Sequence, residues 1–103
     1  MTLQELQKAL MELAEEKGFG TSPDEINVGE KFAMIHSEVT EAYEAYRKKQ
    51  DIEIIGEELS DVIQRVVHLA GILDIDIQEA LKNKLAKSHD RELKWEDYNE
   101  SHT

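Results

Sequence analysis

Apolar residues recur at steps of three and four along most of this sequence, and no segment shows the alternation of apolar and polar residues that marks a half-buried strand. Such steps place side chains on one face of an α-helix, which completes a turn in about 3.6 residues. The first stripe comprises Leu3, Leu6, Leu10 and Leu13, and three further stripes follow it. The sequence therefore predicts an all-α fold, a bundle of four helices.

Capping signals mark the ends of the first and last helices. Thr2 precedes helix 1 and Glu5 follows it by three residues, which is the pattern of a capping box, and Gly18 ends the helix. Asp76 and Glu79 repeat the capping box at the start of helix 4. We expect both helices to begin directly after their capping residues.

Two long central helices are predicted over about residues 28–48 and 52–73. Only a short connection around Lys49, Gln50 and Asp51 separates them, and Asp51 is expected to cap the second. Helices joined by so short a loop lie side by side. Helices 2 and 3 are therefore expected to form an antiparallel hairpin.

The third helix carries an unusually wide apolar surface. Its apolar side chains are Ile55, Leu59, Val62, Val66 and Leu73 on one side and Ile63, Val67 and Ala70 beside them. A chain of 103 residues buries only a modest share of its surface, so this helix needs more than one neighbour. We expect part of the core to be shared with another subunit.

Composition restricts the class of protein and the class of partner. One proline, five glycines and no low-complexity stretch predict a single domain over residues 1–103, with residues 91–103 as a frayed or disordered tail. The net charge of −11 opposes binding to a nucleic-acid polymer, whose phosphates attract Lys and Arg. The chain shows no leader pattern and no apolar run of membrane-spanning length, so we expect a cytoplasmic protein that does not bind membranes.

Two acidic pairs lie on the central helices, Glu38-x-x-Glu41 on helix 2 and Glu58-x-x-Asp61 on helix 3. Glu41 and Glu58 are about equally far from the turn, and so are Glu38 and Asp61, because each residue rises about 1.5 Å along a helix. Both pairs lie on the shoulder of an apolar stripe. Four carboxylates are therefore expected to meet at one level and to face a groove.

Chance is the competing explanation, because 23 of the 103 residues are Asp or Glu and most acidic helix faces are merely solvated. Carboxylates held together without a cation repel one another and raise their own pKa values, so a divalent ion is the simplest resolution. The chain has no cysteine, and none of its four histidines completes the Glu-x-x-His motif of di-iron bundles. Oxygen ligands alone favour Mg²⁺, with Mn²⁺ as the alternative.

The same residues resemble the MazG-like all-α nucleoside triphosphate pyrophosphohydrolases, whose signature is Glu-x-x-Glu followed after a gap by Glu-x-x-Asp. The similarity runs through residues 36–45 and 57–70 and on to 74–84, a span that covers about half of the chain. It implies that Glu38, Glu41, Glu58 and Asp61 hold Mg²⁺ against a triphosphate while water attacks, releasing a nucleoside monophosphate and pyrophosphate. It further implies a homodimer or homotetramer that clears surplus or noncanonical (deoxy)nucleoside triphosphates.

Basic residues near the end of helix 4 are candidates for binding the phosphates. Lys84, Lys87 and Arg91 share one helical face, and ordinary basic charge at a helix C-terminus is the competing interpretation. Arg65 lies one turn beyond Asp61, where it would either reach the substrate or pair with Asp61.

Several assignments stay open. Ser37 stands where many relatives carry a further glutamate, so no catalytic base is assigned. His36 and His68 are expected to pack or to lie on the surface rather than to join the site. The aromatic residues that could stack on a base are Phe19, Phe32, Trp95 and Tyr98, although aromatic residues at helical spacing more often belong to the core. The alternative to an enzyme is a non-enzymatic helical oligomerisation or regulatory module with a structural or vestigial metal site.

Overall fold

Four α-helices make up most of residues 1–90. The structure is a computed structural model that describes residues 1–90, and within that range it contains no strand. The helices are α1 (Leu3–Lys17), α2 (Val28–Arg47), α3 (Ile52–Ile72) and α4 (Ile77–Asp90), with a short 3-10 helix at Pro23–Glu25. The all-α prediction is confirmed. The predicted tail at residues 91–103, including Arg91, Trp95 and Tyr98, lies outside the described residues.

Helices α1 and α4 begin directly after their predicted capping residues. The Glu5 amide donates to Thr2 Oγ1 and the Thr2 amide donates to Glu5 Oε1, each at 3.0 Å, so the capping box is complete. The Glu79 amide donates to Asp76 Oδ1 at 3.0 Å. Gly18 ends α1 with a φ of 73°, a left-handed conformation that glycine adopts at little cost.

A tight turn joins α2 to α3. The amide of Gln50 donates to the carbonyl of Ala45, and that of Lys49 donates to the carbonyl of Tyr46, both at 3.0 Å. This pair of bonds is a Schellman motif, and Lys49 takes its left-handed position with a φ of 57°. Asp51 occupies the N-cap position of α3, but its side chain makes no capping hydrogen bond. The turn packs α2 and α3 against each other as a hairpin.

The buried core is formed by small or medium side chains. Its members are Ala14 of α1, Ala42 and Ala45 of α2, and Val67, Leu69, Ala70 and Ile72 of α3. Helix α1 therefore covers the second apolar face of α3, the one that includes Val67 and Ala70. Gln7 links α1 to the turn between α3 and α4, because its Nε2 donates to the carbonyl of Ile75 at 2.8 Å.

A second set of apolar residues is exposed. On the hairpin it includes Val39, Tyr43 and Tyr46 of α2 and Leu59, Ile63 and Val66 of α3. These helices border an apolar groove of about 370 Å³ that reaches down to Ala42, Ile55 and Val62. Helix α4 has no buried residue, and its Leu81 and Leu85 are exposed. Within residues 1–90, the apolar surface predicted on helix 3 is thus only partly covered.

Across residues 1–90, no helix combines the length and the apolar character needed to cross a membrane.

Candidate metal centre

Three of the four predicted carboxylates come together where α2 faces α3. Glu38, Glu58 and Asp61 each offer one oxygen, and these oxygens lie within 4.8 Å of one another. Glu38 and Glu58 are partly buried, whereas Asp61 is exposed. The hairpin turn sets this arrangement, because it fixes the level at which the two helices meet. The three acids thus form a half-open acidic cluster with one edge in solvent.

Two oxygens of the acidic cluster are buried without a partner. Glu38 Oε2 and Glu58 Oε2 have almost no contact with solvent, and neither has a hydrogen-bond partner among residues 1–90. A buried carboxylate oxygen without a donor or a cation is energetically costly. An oxygen-only ligand set with one solvent-facing side suits Mg²⁺, which retains several waters when bound to protein. The residues present therefore fit a hard divalent cation.

Glu41 lies beside the cluster rather than within it. Its side chain is exposed, and it does not belong to the group of three close oxygens. The negative charge of Glu38 raises the pKa of Glu41, and partial desolvation and the charge of Glu58 raise it further. Glu41 therefore lies within the electrostatic field of the cluster.

Arg65 forms an ion pair with the cluster. Its Nε donates to Glu38 Oε1 at 2.9 Å, and the side chains of Arg65 and Glu38 are 37% and 13% exposed. The sequence allowed two interaction partners for Arg65: the substrate, or Asp61 one turn away on the same helix. The structure instead pairs it with the more deeply buried acid across the hairpin, where an ion pair is less screened by water.

Arg65 also lines a small pocket. It has a volume of about 150 Å³ and is lined by Leu10, Leu13, Ala14, Phe19, Gln64, Arg65 and His68. His68 Nε2 lies 3.0 Å from the carbonyl oxygen of Gly20. A carbonyl only accepts, so this nitrogen carries the proton and His68 fixes the loop after α1. Arg65 therefore lines the pocket and is also ion-paired with Glu38 of the acidic cluster.

The model of one protein family, described as the MazG nucleotide pyrophosphohydrolase domain, matches residues 30–94, more than half of the chain. The chain belongs to the MazG family. Neither the curated proteins nor the solved structures gave a match. The matched segment includes both acidic pairs of the MazG signature, whereas α1 and the loop after it precede the match.

Besides Arg65, three basic residues of α4 and the segment after it are predicted to bind the phosphates. Lys84 and Lys87 are exposed on α4, which packs against α1 and α3, and within residues 1–90 neither forms an ion pair with Glu38, Glu41, Glu58 or Asp61. Arg91 is beyond the described range. A role for these three residues at the phosphates stays a prediction.

Two features of the described residues could not be found by sequence reasoning alone. The first is the ion pair between Arg65 and Glu38, which lie 27 residues apart and meet only through helix packing. The second is the pocket that contains Phe19 and His68. The local signal for it was the Gly18-Phe19-Gly20 sequence, because glycines on both sides of an aromatic residue let the chain leave α1 with the ring displayed. His36 is exposed, as expected for a surface residue.

Proposed function

We propose that this MazG domain is a Mg²⁺-dependent pyrophosphohydrolase that converts (deoxy)nucleoside triphosphates to monophosphate and pyrophosphate, and so clears surplus or noncanonical nucleotides in the cytoplasm. The observation that carries the proposal is the pair of buried, unpartnered oxygens on Glu38 and Glu58 within a cluster of three acids. The family match supports the class of reaction.

Glu38, Glu58 and Asp61 are the proposed metal ligands, and Glu41 completes the set from the open side. Mg²⁺ is the proposed ion, with Mn²⁺ as a substitute. When bound, such an ion offsets the charge of the phosphates and lowers the pKa of a water molecule. No covalent nucleophile is needed, in keeping with a chain that has no cysteine.

The proposed reaction is a hydrolysis of the bond between the first two phosphates. A water oxygen adds to phosphorus, the bridging P–O bond breaks, and the proton lost by water ends on the products or on solvent. Arg65 lies at the cluster with its side chain partly exposed, so we assign it to the triphosphate. Lys84, Lys87 and Arg91 are further proposed contacts to the phosphates.

The nucleoside is proposed to occupy the pocket beside Arg65. A triphosphate bound at the acidic cluster and at Arg65 would direct its nucleoside toward this neighbouring opening. Of the two candidate aromatic residues within residues 1–90, Phe19 lines the pocket and Phe32 does not. An aromatic ring offers a stacking surface to any base, so this assignment leaves base preference open.

A second copy of the chain is the proposed occupant of the apolar groove on the hairpin. Val39, Tyr43, Tyr46 and Leu59 line it from both helices, and a continuous apolar surface with no partner is unfavourable in water. Pairing two such faces would build the core that one chain lacks, giving a homodimer or, with α4, a homotetramer.

A panel of nucleoside and deoxynucleoside triphosphates with Mg²⁺ or Mn²⁺ tests the proposal, with release of monophosphate and pyrophosphate as the readout. Glu41→Gln and Asp61→Asn should lose most of the turnover, whereas Glu44→Gln, which changes an acid paired with Arg47, should retain it. Full turnover in both site variants would refute the site. No turnover across the panel and no Mg²⁺-dependent thermal stabilisation would favour the non-enzymatic oligomerisation module.

A further inference from the structure

We propose that Arg65 is a resident counter-cation of the acidic cluster: its guanidinium takes the place of the divalent ion when none is bound, and so limits how tightly that ion binds. The inference rests on the proposed function, because it assumes that the cluster takes a divalent cation. It concerns the regulation of that site rather than the identity of its ligands.

The ion pair itself is the first observation. Arg65 Nε lies 2.9 Å from Glu38 Oε1, and Glu38 is the more enclosed partner. Within residues 1–90, no other basic side chain lies within ion-pair distance of the four acids. One positive charge therefore offsets part of the charge of a cluster in which two oxygens still lack a partner.

This ion pair makes Arg65 a competitor of a bound divalent ion for Glu38. An ion bound by Glu38, Glu58 and Asp61 would carry two positive charges into the surroundings of the guanidinium, and like charges repel strongly at a partly buried site. Arg65 must then loosen its bond to Glu38 or move toward solvent. A variant without this positive charge has more uncompensated negative charge before the ion binds and no repulsion afterwards. Both effects strengthen ion binding.

The remaining N–H donors of Arg65 could bind a ligand once its guanidinium has moved away from Glu38. A guanidinium has five N–H donors, of which only Nε has an oxygen acceptor within the described part of the chain. Its NH1 group makes only a weak contact with Met34 Sδ at 4.0 Å. A guanidinium that yields Glu38 is free to bind phosphate oxygens. Arg65 would therefore weaken ion binding while strengthening nucleotide binding.

The decisive experiment is a calorimetric titration of the full chain with MgCl₂ or MnCl₂ in the absence of nucleotide. Arg65→Gln should bind the ion at least about tenfold more tightly than the wild type, a change of about 1.4 kcal/mol. Arg65→Lys keeps the charge and should stay within a few-fold of the wild type. Arg47→Gln is the matched control, because it removes the same charge from an exposed ion pair with Glu44.

Two further readouts separate this inference from a purely structural ion pair. Thermal melts should show Arg65→Gln below the wild type without ion and level with it or above it at saturating Mg²⁺. In steady-state kinetics, the same variant should have a higher KM for nucleotide despite its tighter ion binding. An ion affinity of Arg65→Gln that is unchanged or weaker would overturn the inference and leave the metal site standing.

A measurement on the wild-type chain covers the case in which Arg65→Gln does not fold. The Nε–H resonance of Arg65 should move or broaden during a Mg²⁺ titration followed by nuclear magnetic resonance, while that of Arg47 stays in place. A resonance that is unchanged at saturating Mg²⁺ would overturn the inference. Absence of any ion binding to the wild type would overturn both this inference and the proposed metal site, so the two failures are distinguishable.

Discussion

Gly71 of α3 lies so close to Met11 of α1 that a Cβ atom on Gly71 would stand 2.5 Å from Met11 Sδ. This contact lets α1 approach the face of α3 that carries Val67 and Ala70, which are buried. Helix α1 also contributes to the pocket beside Arg65. The close approach of these two residues therefore positions one wall of the proposed nucleotide site.

Gly71→Ala is expected to destabilise the fold, because extra volume in a packed interface costs about 1–3 kcal/mol. This cost outweighs the gain of up to about 1 kcal/mol from replacing glycine within a helix. Gly56→Ala is the matched control, since a Cβ on Gly56 of the same helix meets nothing within 4 Å and should raise stability. Chemical denaturation of both variants measures the difference. Equal stabilisation in the two would contradict the packing argument.

Glu41→Gln should stabilise the cation-free protein near neutral pH. The folded protein holds the proton of Glu41 more tightly than the unfolded chain does, because its pKa is raised above the ordinary value of 4.5. Stability therefore falls as pH rises through the raised pKa, and the loss is complete above it. The variant avoids this loss, so its melting temperature should exceed that of the wild type at about pH 7 and converge with it toward about pH 4.5.

Calorimetry across this pH range tests the sign, with Glu44→Gln as the control on the same helix. The proposed metal role adds a second expectation: Mg²⁺ should raise the melting temperature of the wild type more than that of Glu41→Gln. A variant less stable than the wild type at neutral pH would show that Glu41 is not repelled by its neighbours.

Phe19→Ala should weaken nucleotide binding with little effect on ion binding. Loss of a ring that stacks on a base costs about 1–3 kcal/mol, so KM should rise about fivefold or more. Phe32→Ala is the control, because Phe32 is similarly exposed on α2 but does not line the pocket. Steady-state kinetics with Mg²⁺ saturating provides the measurement. A larger effect from Phe32→Ala would place the nucleoside elsewhere.

Leu59→Asp should dissociate the proposed oligomer, since a charge within a buried apolar interface is strongly unfavourable. Leu59 lies in the groove between α2 and α3 and is 52% exposed in the single chain. Ser60→Asp adds the same charge at the next, exposed position and should leave assembly intact. Light scattering after size-exclusion chromatography reports the mass of each variant. A wild-type monomer at micromolar concentration would remove the basis for a shared core.

Features that depend on a few neighbouring residues could be predicted from the sequence. The capping patterns at Thr2 and Asp76 each span four residues, and both helices begin directly after these capping residues. The turn was expected near Lys49, but its left-handed backbone was not, because lysine carries no signal for it. The Asp51 side chain was expected to cap α3 and does not, so the Schellman bonds hold the turn instead.

Features that depend on how helices pack could not be predicted. The level of the acids along the helices is an exception: equal distance from the turn correctly predicted that Glu38, Glu58 and Asp61 lie together, since rise per residue is a property of any helix. It could not show that Glu41 would lie to one side, because that depends on the rotation of α2 against α3. The partner of Arg65 depends on the same rotation.

The Schellman turn at Lys49 also restricts how the hairpin can change length during evolution. Sixteen residues separate Glu41 from Glu58, and a residue inserted into either arm rotates everything beyond it by about 100° and moves it by about 1.5 Å. The acids face each other again only when both arms gain a full turn, about seven residues in total. Insertions should therefore be tolerated in the turn itself or in steps of about seven, and single-residue changes within the arms should be eliminated.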